Sequence, residues 1–274
     1  MPNFKKLFGG TNELYKSPYD GRDYHFSDFI LAGSVKVPDN YESEMTPFVY
    51  NQGKSSMCAA CAYNTIRFLQ ESKGNTSSGI TEPFSPAFNY ANRPENENFE
   101  GMYMRTVCKK GREGSVPYSM LPGFYNLATA KAKLKKDKDK LFTMAKPFGI
   151  SSFYQVTSRE QIKTAIYTLK GVIAGIYVTD EFYNPQNGYV RYNPNNPKNW
   201  GGHALAIVGY KLDKNGEFWW RIQNSWGKMW SENGRAWLSG DYPFIESPYA
   251  IVDNIDEIKW KEYKEKYMKQ DEFL

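Results

Sequence analysis

The sequence predicts an α+β fold in two lobes, and three observations carry that prediction. Segments with helical character and few breaks lie before about residue 125. Strand-like runs bounded by turn residues lie after about residue 145. Helices and strands segregated in this way argue against alternating βαβ units. The third observation is size: 274 residues, 41% apolar and 24% charged, are enough to bury the core of one large domain or two lobes. The aromatic share is 16%, with 21 Tyr and 17 Phe. Such rings suit packed cores and peptide-sized clefts and argue against disorder.

Taken in order, residues 1–37 are polar and carry Gly9, Gly10, Pro18 and Gly21, so they read as an arm or loop. Residues 38–53 hold Pro38, Pro47 and Gly53 and read as extended chain and turns. From Met57 the chain is free of Gly and Pro as far as Lys73, which predicts a helix of about four turns. Ser55 or Ser56 is its expected cap and Gly74 its stop. Ser85-Pro86 opens a second helix, with Pro at the first position. A third lies within 100–114 and stops at Gly111. The Lys/Asp cluster Lys131–Lys140 reads as a solvated face.

In the second half, Glu160–Gly171 has helical period with a Gly stop. Residues 172–178, 203–210, 217–224 and 234–239 read as strands, and Asp213-Lys214-Asn215-Gly216 is a hairpin turn. The Asn- and Pro-rich stretch 183–200 is long enough to be a lid, a binding loop or an insertion. This places an arm over 1–37, a domain over 38–250 and a charged helix over 251–274. The helical lobe spans about 45–125 and the β lobe about 126–245.

The net charge of +5 is spread along the chain and gives little reason to expect a nucleic-acid partner. Three cysteines do not make a disulfide framework. Residues 1–30 contain no apolar core of a secretory signal, and no run of about 18 apolar residues occurs. The expected setting is therefore cytoplasmic or reached by a non-classical export route, without a membrane span. The oligomeric state is not legible.

The stretch "SSMCAACAYN" holds Cys58 and Cys61 at C-x-x-C spacing. A dithiol oxidoreductase carries that pair at a strand-to-helix junction in a βαβ unit, but here the preceding segment is turn-rich. A structural zinc site needs four ligands, and the only other candidates, Cys108, His25 and His203, lack paired spacing, so no metal or cofactor is expected. Cys58 by itself fits better. The start of a helix stabilises a thiolate. Cys61, one turn on, reads as core, as does Cys108. His25 reads as a surface or loop histidine. A nucleophile also needs a base and an orienting partner. His203 in "GGHALAIVGY" and Asn224 in "QNSWG" sit on neighbouring strand-like runs, where the Asn amide oxygen would accept from the imidazole. Trp226 is placed to shield that contact.

The blocks "NQGKSSMCAACAY", "GGHALAIVGY" and "RIQNSWGKMWSENGRAWL" together resemble the papain-like cysteine peptidases. Their order, Cys then His then Asn, is the family order. His203 follows Cys58 by 145 residues, within the roughly 130–150 of the family. The resemblance spans about 37–244 and implies a papain-like fold: a helical lobe, an antiparallel β-barrel-like lobe and an active-site cleft between them. It implies Cys58 as nucleophile, His203 as general base and acid, and Asn224 as the group that orients His203. It also implies that Gln52 joins the Cys58 N–H in an oxyanion hole and that Cys58 and His203 rest as thiolate and imidazolium. Gly101 resembles the family glycine that pairs with substrate backbone. The pocket for the second residue before the scissile bond draws on dispersed positions, among them Ala174 and Gly201-Gly202.

There are departures. The family's Gly-Ser-Cys-Trp is here Ser56-Met57-Cys58-Ala59, and Ser55 replaces a disulfide cysteine. Both features resemble the divergent bacterial branch, and Met57 stands where it would narrow the cleft. The implied function is a cysteine endopeptidase acting on protein or peptide, made as a zymogen if the short arm crosses the cleft. Two alternatives stay open: a papain-fold binding module with little activity, and another Cys–His acyl-transfer enzyme such as a peptidoglycan amidase or peptide ligase.

Overall fold

A computed structural model describes residues 12–29, 35–43, 48–72, 82–95, 97, 99–122, 126–195 and 199–253. The expected stop at Gly74 and the charged helix beyond Asp253 lie outside the described residues. Helix α1 is Phe26–Phe29, and the two-residue strand β1 is Tyr41–Glu42. Helices α2 (Cys58–Glu71), α3 (Pro86–Ala91), α4 (Met104–Gly111), α5 (Leu127–Lys136) and α6 (Lys138–Ala145) follow. Then come β2 (Ile150–Gln155), α7 (Arg159–Leu169), β3 (Val172–Tyr177), α8 (Asp180–Tyr183) and β4 (Tyr189–Val190). Strands β5 (Gly202–Leu212), β6 (Phe218–Gln223), β7 (Arg235–Ser239) and β8 (Tyr249–Asp253) end the described chain.

The fold is α+β, as expected, but the sheet is not closed into a barrel. Its order is β2-β8-β3-β5-β6-β7-β4, with β1 also on β5. β2 and β4 remain edges, and β4 meets β7 in parallel over two residues, too short a pairing to lead round to β2. The other pairings are antiparallel. β5 is central because nine successive residues from Gly202 to Tyr210 are buried, a run that needs cover on both faces. Leu205 and Ile207 point into one apolar cluster, with α7, Phe182 and Trp226. Ala204, Ala206 and Val208 point into the other, under α2. A register shift between Ile207 and Gly209 then changes the strand's phase.

Every residue of α2 is buried, Arg67 and Glu71 included. Arg67 Nη2 meets Glu71 Oε1 at 2.6 Å and Asp253 Oδ1 at 2.9 Å, and Gln70 Nε2 donates to Ile251 O. These contacts explain a correction: residues 251–253, expected to begin a charged helix, are the end of β8, paired with β2 and tied to α2. A second correction concerns the helical lobe's boundary at about residue 125, while the Lys/Asp cluster is the solvated face expected. Its lysines face outward, but Ala130, Leu134, Leu141 and Ala145 pack with Phe88 in a third cluster. The helical lobe therefore extends past residue 125, because α5 and α6 carry apolar stripes that close on α3.

The arm is a third correction. Leu14 and Phe26 are both core residues. Arg105 on α4 holds the arm through the carbonyl of Pro18 and the carboxylate of Asp23, and Ser17 Oγ donates to Glu246 Oε1 at 2.9 Å. Gln155 N donates to Tyr24 O, which lays the arm beside β2. His25 is exposed, as expected of a surface histidine.

Candidate active site

Cys58 is the first residue of α2, and Met57, not Ser55 or Ser56, occupies the cap position, with no side-chain hydrogen bond. Ser55 Oγ donates to Gln52 O instead. The first backbone N–H groups of α2 are left without a capping side chain. The backbone N–H of Ala204, the residue after His203, acts on the Cys58 thiol in favour of its thiolate, so the start of β5 lies beside Cys58.

β5 and β6 are adjacent antiparallel strands, and their ends set His203 beside Asn224. His203 Nε2 and Asn224 Oδ1 are 2.7 Å apart. Asn224 Oδ1 also accepts from Ser225 N at 2.8 Å, which fixes which amide atom faces the ring. The oxygen faces a ring nitrogen, so Nε2 is the donor and a neutral imidazole keeps its lone pair on Nδ1. Nδ1 has no hydrogen-bond partner among the described residues. The Trp226 ring lies 5.0 Å from the imidazole, Phe182 lies 6.0 Å away, and Tyr183 stacks on Trp226 at 5.3 Å. These rings keep water off the His203–Asn224 contact. Phe182 and Tyr183 were not legible in the sequence: they sit on the short helix α8, in a stretch read as the edge of a loop, and only the Thr179 cap hints at it.

Gln52 is buried next to this group. Its backbone N–H donates to Ser225 O, Ser225 Oγ donates to Gln52 Oε1 at 2.6 Å, and Gln52 Nε2 donates to Ser55 O. One hydrogen of that amide is committed, and among the described residues the second has no acceptor. Ser225, which the sequence did not single out, thus links Gln52 to Asn224.

The arm runs through the cleft. Asn12 donates to Tyr183 Oη and to Trp200 O. Leu14 N donates to Gly202 O at 3.0 Å, and Glu100 N donates to Glu13 Oε2 at 2.9 Å. A side chain at Gly101 would collide with the Glu13 carbonyl, and one at Gly202 with the Leu14 carbonyl, so both glycines are what lets a backbone lie there. The Leu14 side chain packs on Gly175 and lies near Met104. Ala174 does not line this pocket: it points into the opposite cluster, because neighbours on a strand face opposite ways. Met57 is fully buried in the cluster that also holds Leu14 and Cys58.

Burial decides the charge state with the arm in place. Cys58 is pushed up to about 11, chiefly by desolvation, against the pull of backbone N–H groups. His203 is pushed down to about 4, again by desolvation, with Asn224 opposing. Both shifts favour the neutral forms. With the arm in place, burial thus works against the expected thiolate–imidazolium pair.

The sequence pattern that defines papain family cysteine proteases matches residues 85–242, more than half of the chain. The chain belongs to the papain family. The matched stretch holds His203 and Asn224, while Cys58 and Gln52 lie ahead of it. A cathepsin C of Schistosoma mansoni is 24% identical over 208 residues, covering 72% of this chain and 45% of that protein. Cathepsin B-like cysteine proteinase 3 of Caenorhabditis elegans is 31% identical over 132 residues, 45% of this chain and 35% of that protein. The chain thus spans less than half the length of these relatives. Among solved structures, xylellain, a cysteine protease from Xylella fastidiosa, superposes with a TM-score of 0.73 at 21% identity, covering 90% of this chain and 97% of that one. At that identity the likeness speaks for the papain-like fold.

Proposed function

We propose that this papain-family chain is a cysteine-type endopeptidase, held latent by its own arm. The observation that carries the reading is the 2.7 Å His203–Asn224 contact, oriented by Ser225 and ringed by Trp226, with the Cys58 sulfur against Ala204. Cys58 attacks the scissile carbonyl as its proton moves to His203 Nδ1. The oxyanion accepts from Cys58 N–H and the free hydrogen of Gln52 Nε2; each such donor is worth about 10²–10³ in rate. His203 then protonates the leaving amine, and water, deprotonated by His203, hydrolyses the thioester. Gly101 and Gly202 take the substrate backbone that the arm now mimics, Gly175 and Met104 line the adjoining pocket, and Met57 supports the wall from behind.

The arm accounts for latency twice over. It fills the cleft, and by excluding water it keeps Cys58 and His203 neutral. Displacing it hydrates the pair and lets the proton move. Incubation with a broad peptide library tests the reading on the Leu14→Asp chain, whose arm no longer anchors in the cleft: we expect cleavage by that chain and none when Cys58→Ala is added. Equal cleavage by both would refute it, amide transfer without hydrolysis would favour a ligase or amidase, and binding without either would favour a binding module.

A further inference from the structure

We propose that Cys61 is a resolving thiol, and that the C-x-x-C pair is an oxidation site at which peroxide converts Cys58 to a reversible Cys58–Cys61 disulfide. The inference rests on the assignment of Cys58 as the reactive thiol. The mechanism of peptide hydrolysis gives Cys61 no task, yet it sits one helical turn from the nucleophile. Both thiols are free and buried in the same cluster. Cys61 N donates to Met57 O at 2.9 Å, so Cys61 is already in helical geometry when Cys58 opens the helix. Residues three apart on a helix lie on one face, with Cβ atoms about 5–6 Å apart. A disulfide draws Cβ atoms to about 3.5–4.5 Å. The gap is small and falls at the one turn of α2 that no side chain caps. A disulfide closed against such strain is easily reduced, which suits a reversible block rather than a structural bridge. Cys108 belongs to the same cluster but sits on α4, where Glu246, Asp23 and Arg105 act on its thiol, and not one turn from Cys58 on α2.

The chemistry balances with one peroxide. The Cys58 thiolate attacks a peroxide oxygen; the O–O bond breaks, an S–O bond forms, and the departing hydroxide takes the proton that His203 held. Sulfur is oxidised by two electrons to the sulfenic acid. The Cys61 sulfur then attacks the Cys58 sulfur; the S–S bond forms, the S–O bond breaks, and the released hydroxide takes the Cys61 proton. In sum two thiols and one hydrogen peroxide give one disulfide and two waters. A thiol reductant reverses it. Without a resolving thiol, the sulfenic acid goes on to sulfinic acid, which such reductants do not reverse.

The test treats the full, reduced chain, carrying Leu14→Asp in every variant so that the arm is lifted from Cys58, with hydrogen peroxide, blocks free thiols with iodoacetamide and digests with trypsin. Lys54 and Arg67 bracket one peptide, Ser55–Arg67, that holds both cysteines and Met57. We expect that peptide to lose two hydrogens, to escape alkylation and to be restored by dithiothreitol. Sulfoxide at Met57 adds an oxygen that dithiothreitol does not remove and so reads separately. In Cys61→Ala, and in Cys61→Ser should the first variant fold poorly, the same peptide should accumulate sulfinic acid at Cys58. Cys108→Ala should behave as the Leu14→Asp chain alone. The proposal is overturned if the peptide of that chain stays reduced, if it reaches sulfinic acid as fast as Cys61→Ala, or if the disulfide includes Cys108. The readout is a mass, not an activity. A chain that forms the disulfide yet cleaves no peptide would leave the switch standing and sink the peptidase reading alone.

Discussion

At the scale of single residues, His203 carries the most consequence for its size. Its imidazole is fully buried, with one nitrogen on Asn224 Oδ1 and the other without a partner among the described residues. Burial lowers it from 6.5 to about 4. The unfolded chain therefore binds a proton that the folded chain refuses. The stability His203 contributes is full above pH 6.5 and is lost as pH falls towards 4, on the order of 3 kcal/mol across that window. Denaturant titration at pH 7 and pH 4 checks this: His203→Gln should lose less stability between those pH values than wild type by about that amount. Equal losses would contradict it. Cys58, Gln52, His203 and Asn224 could be singled out as candidates because each sits in a short local block of the sequence. Ser225, Phe182 and Tyr183 were not, since their roles come from contacts between segments far apart in the chain.

At the scale of elements, α2 and β3 show where local rules stop. The α2 cap position holds Met57, a residue that cannot cap, although Ser55 and Ser56 stand just before it. Burial explains the choice. A serine cap is worth about 1 kcal/mol, whereas truncating a buried methionine costs about 2–5 kcal/mol. Met57→Ser should therefore lower stability by roughly 1–4 kcal/mol, despite the better cap, and a thermal melt should move down accordingly. A melt at or above that of wild type would mean that capping outweighs packing here. In β3 the sequence indicated the strand but not its phase. Ala174 was the expected pocket residue, and Gly175 is the one that meets Leu14. A strand's two faces differ by one residue, and which face meets the cleft is set by β5 and β8 on either side, not by β3 itself.

At the scale of the whole molecule, the arm joins the two lobes across the cleft. Its composition read as loop, and most of it is polar, so the burial of Leu14 and Phe26 was hidden from the sequence. What holds it are two apolar anchors, Leu14 on Gly175 and Phe26 in the cluster under α7, with backbone contacts at Gly101 and Gly202 and the Arg105–Asp23 and Ser17–Glu246 contacts. Burying one leucine is worth about 1.5–3 kcal/mol, and a carboxylate in its place is opposed further by desolvation. Leu14→Asp should raise the initial rate of peptide cleavage at least about tenfold by opening the cleft, as read with a fluorogenic peptide; an unchanged rate would mean that the arm does not limit access. The central claim is that Cys58 is the nucleophile of this cleft, and its most direct measurement is covalent. The Leu14→Asp chain is incubated with an epoxide-type active-site probe, and the adduct is mapped by fragmentation of the Ser55–Arg67 peptide. The account predicts one adduct, on Cys58, and none when Cys58→Ala is added. An adduct on Cys61 or Cys108, or no adduct with the arm displaced, would contradict it.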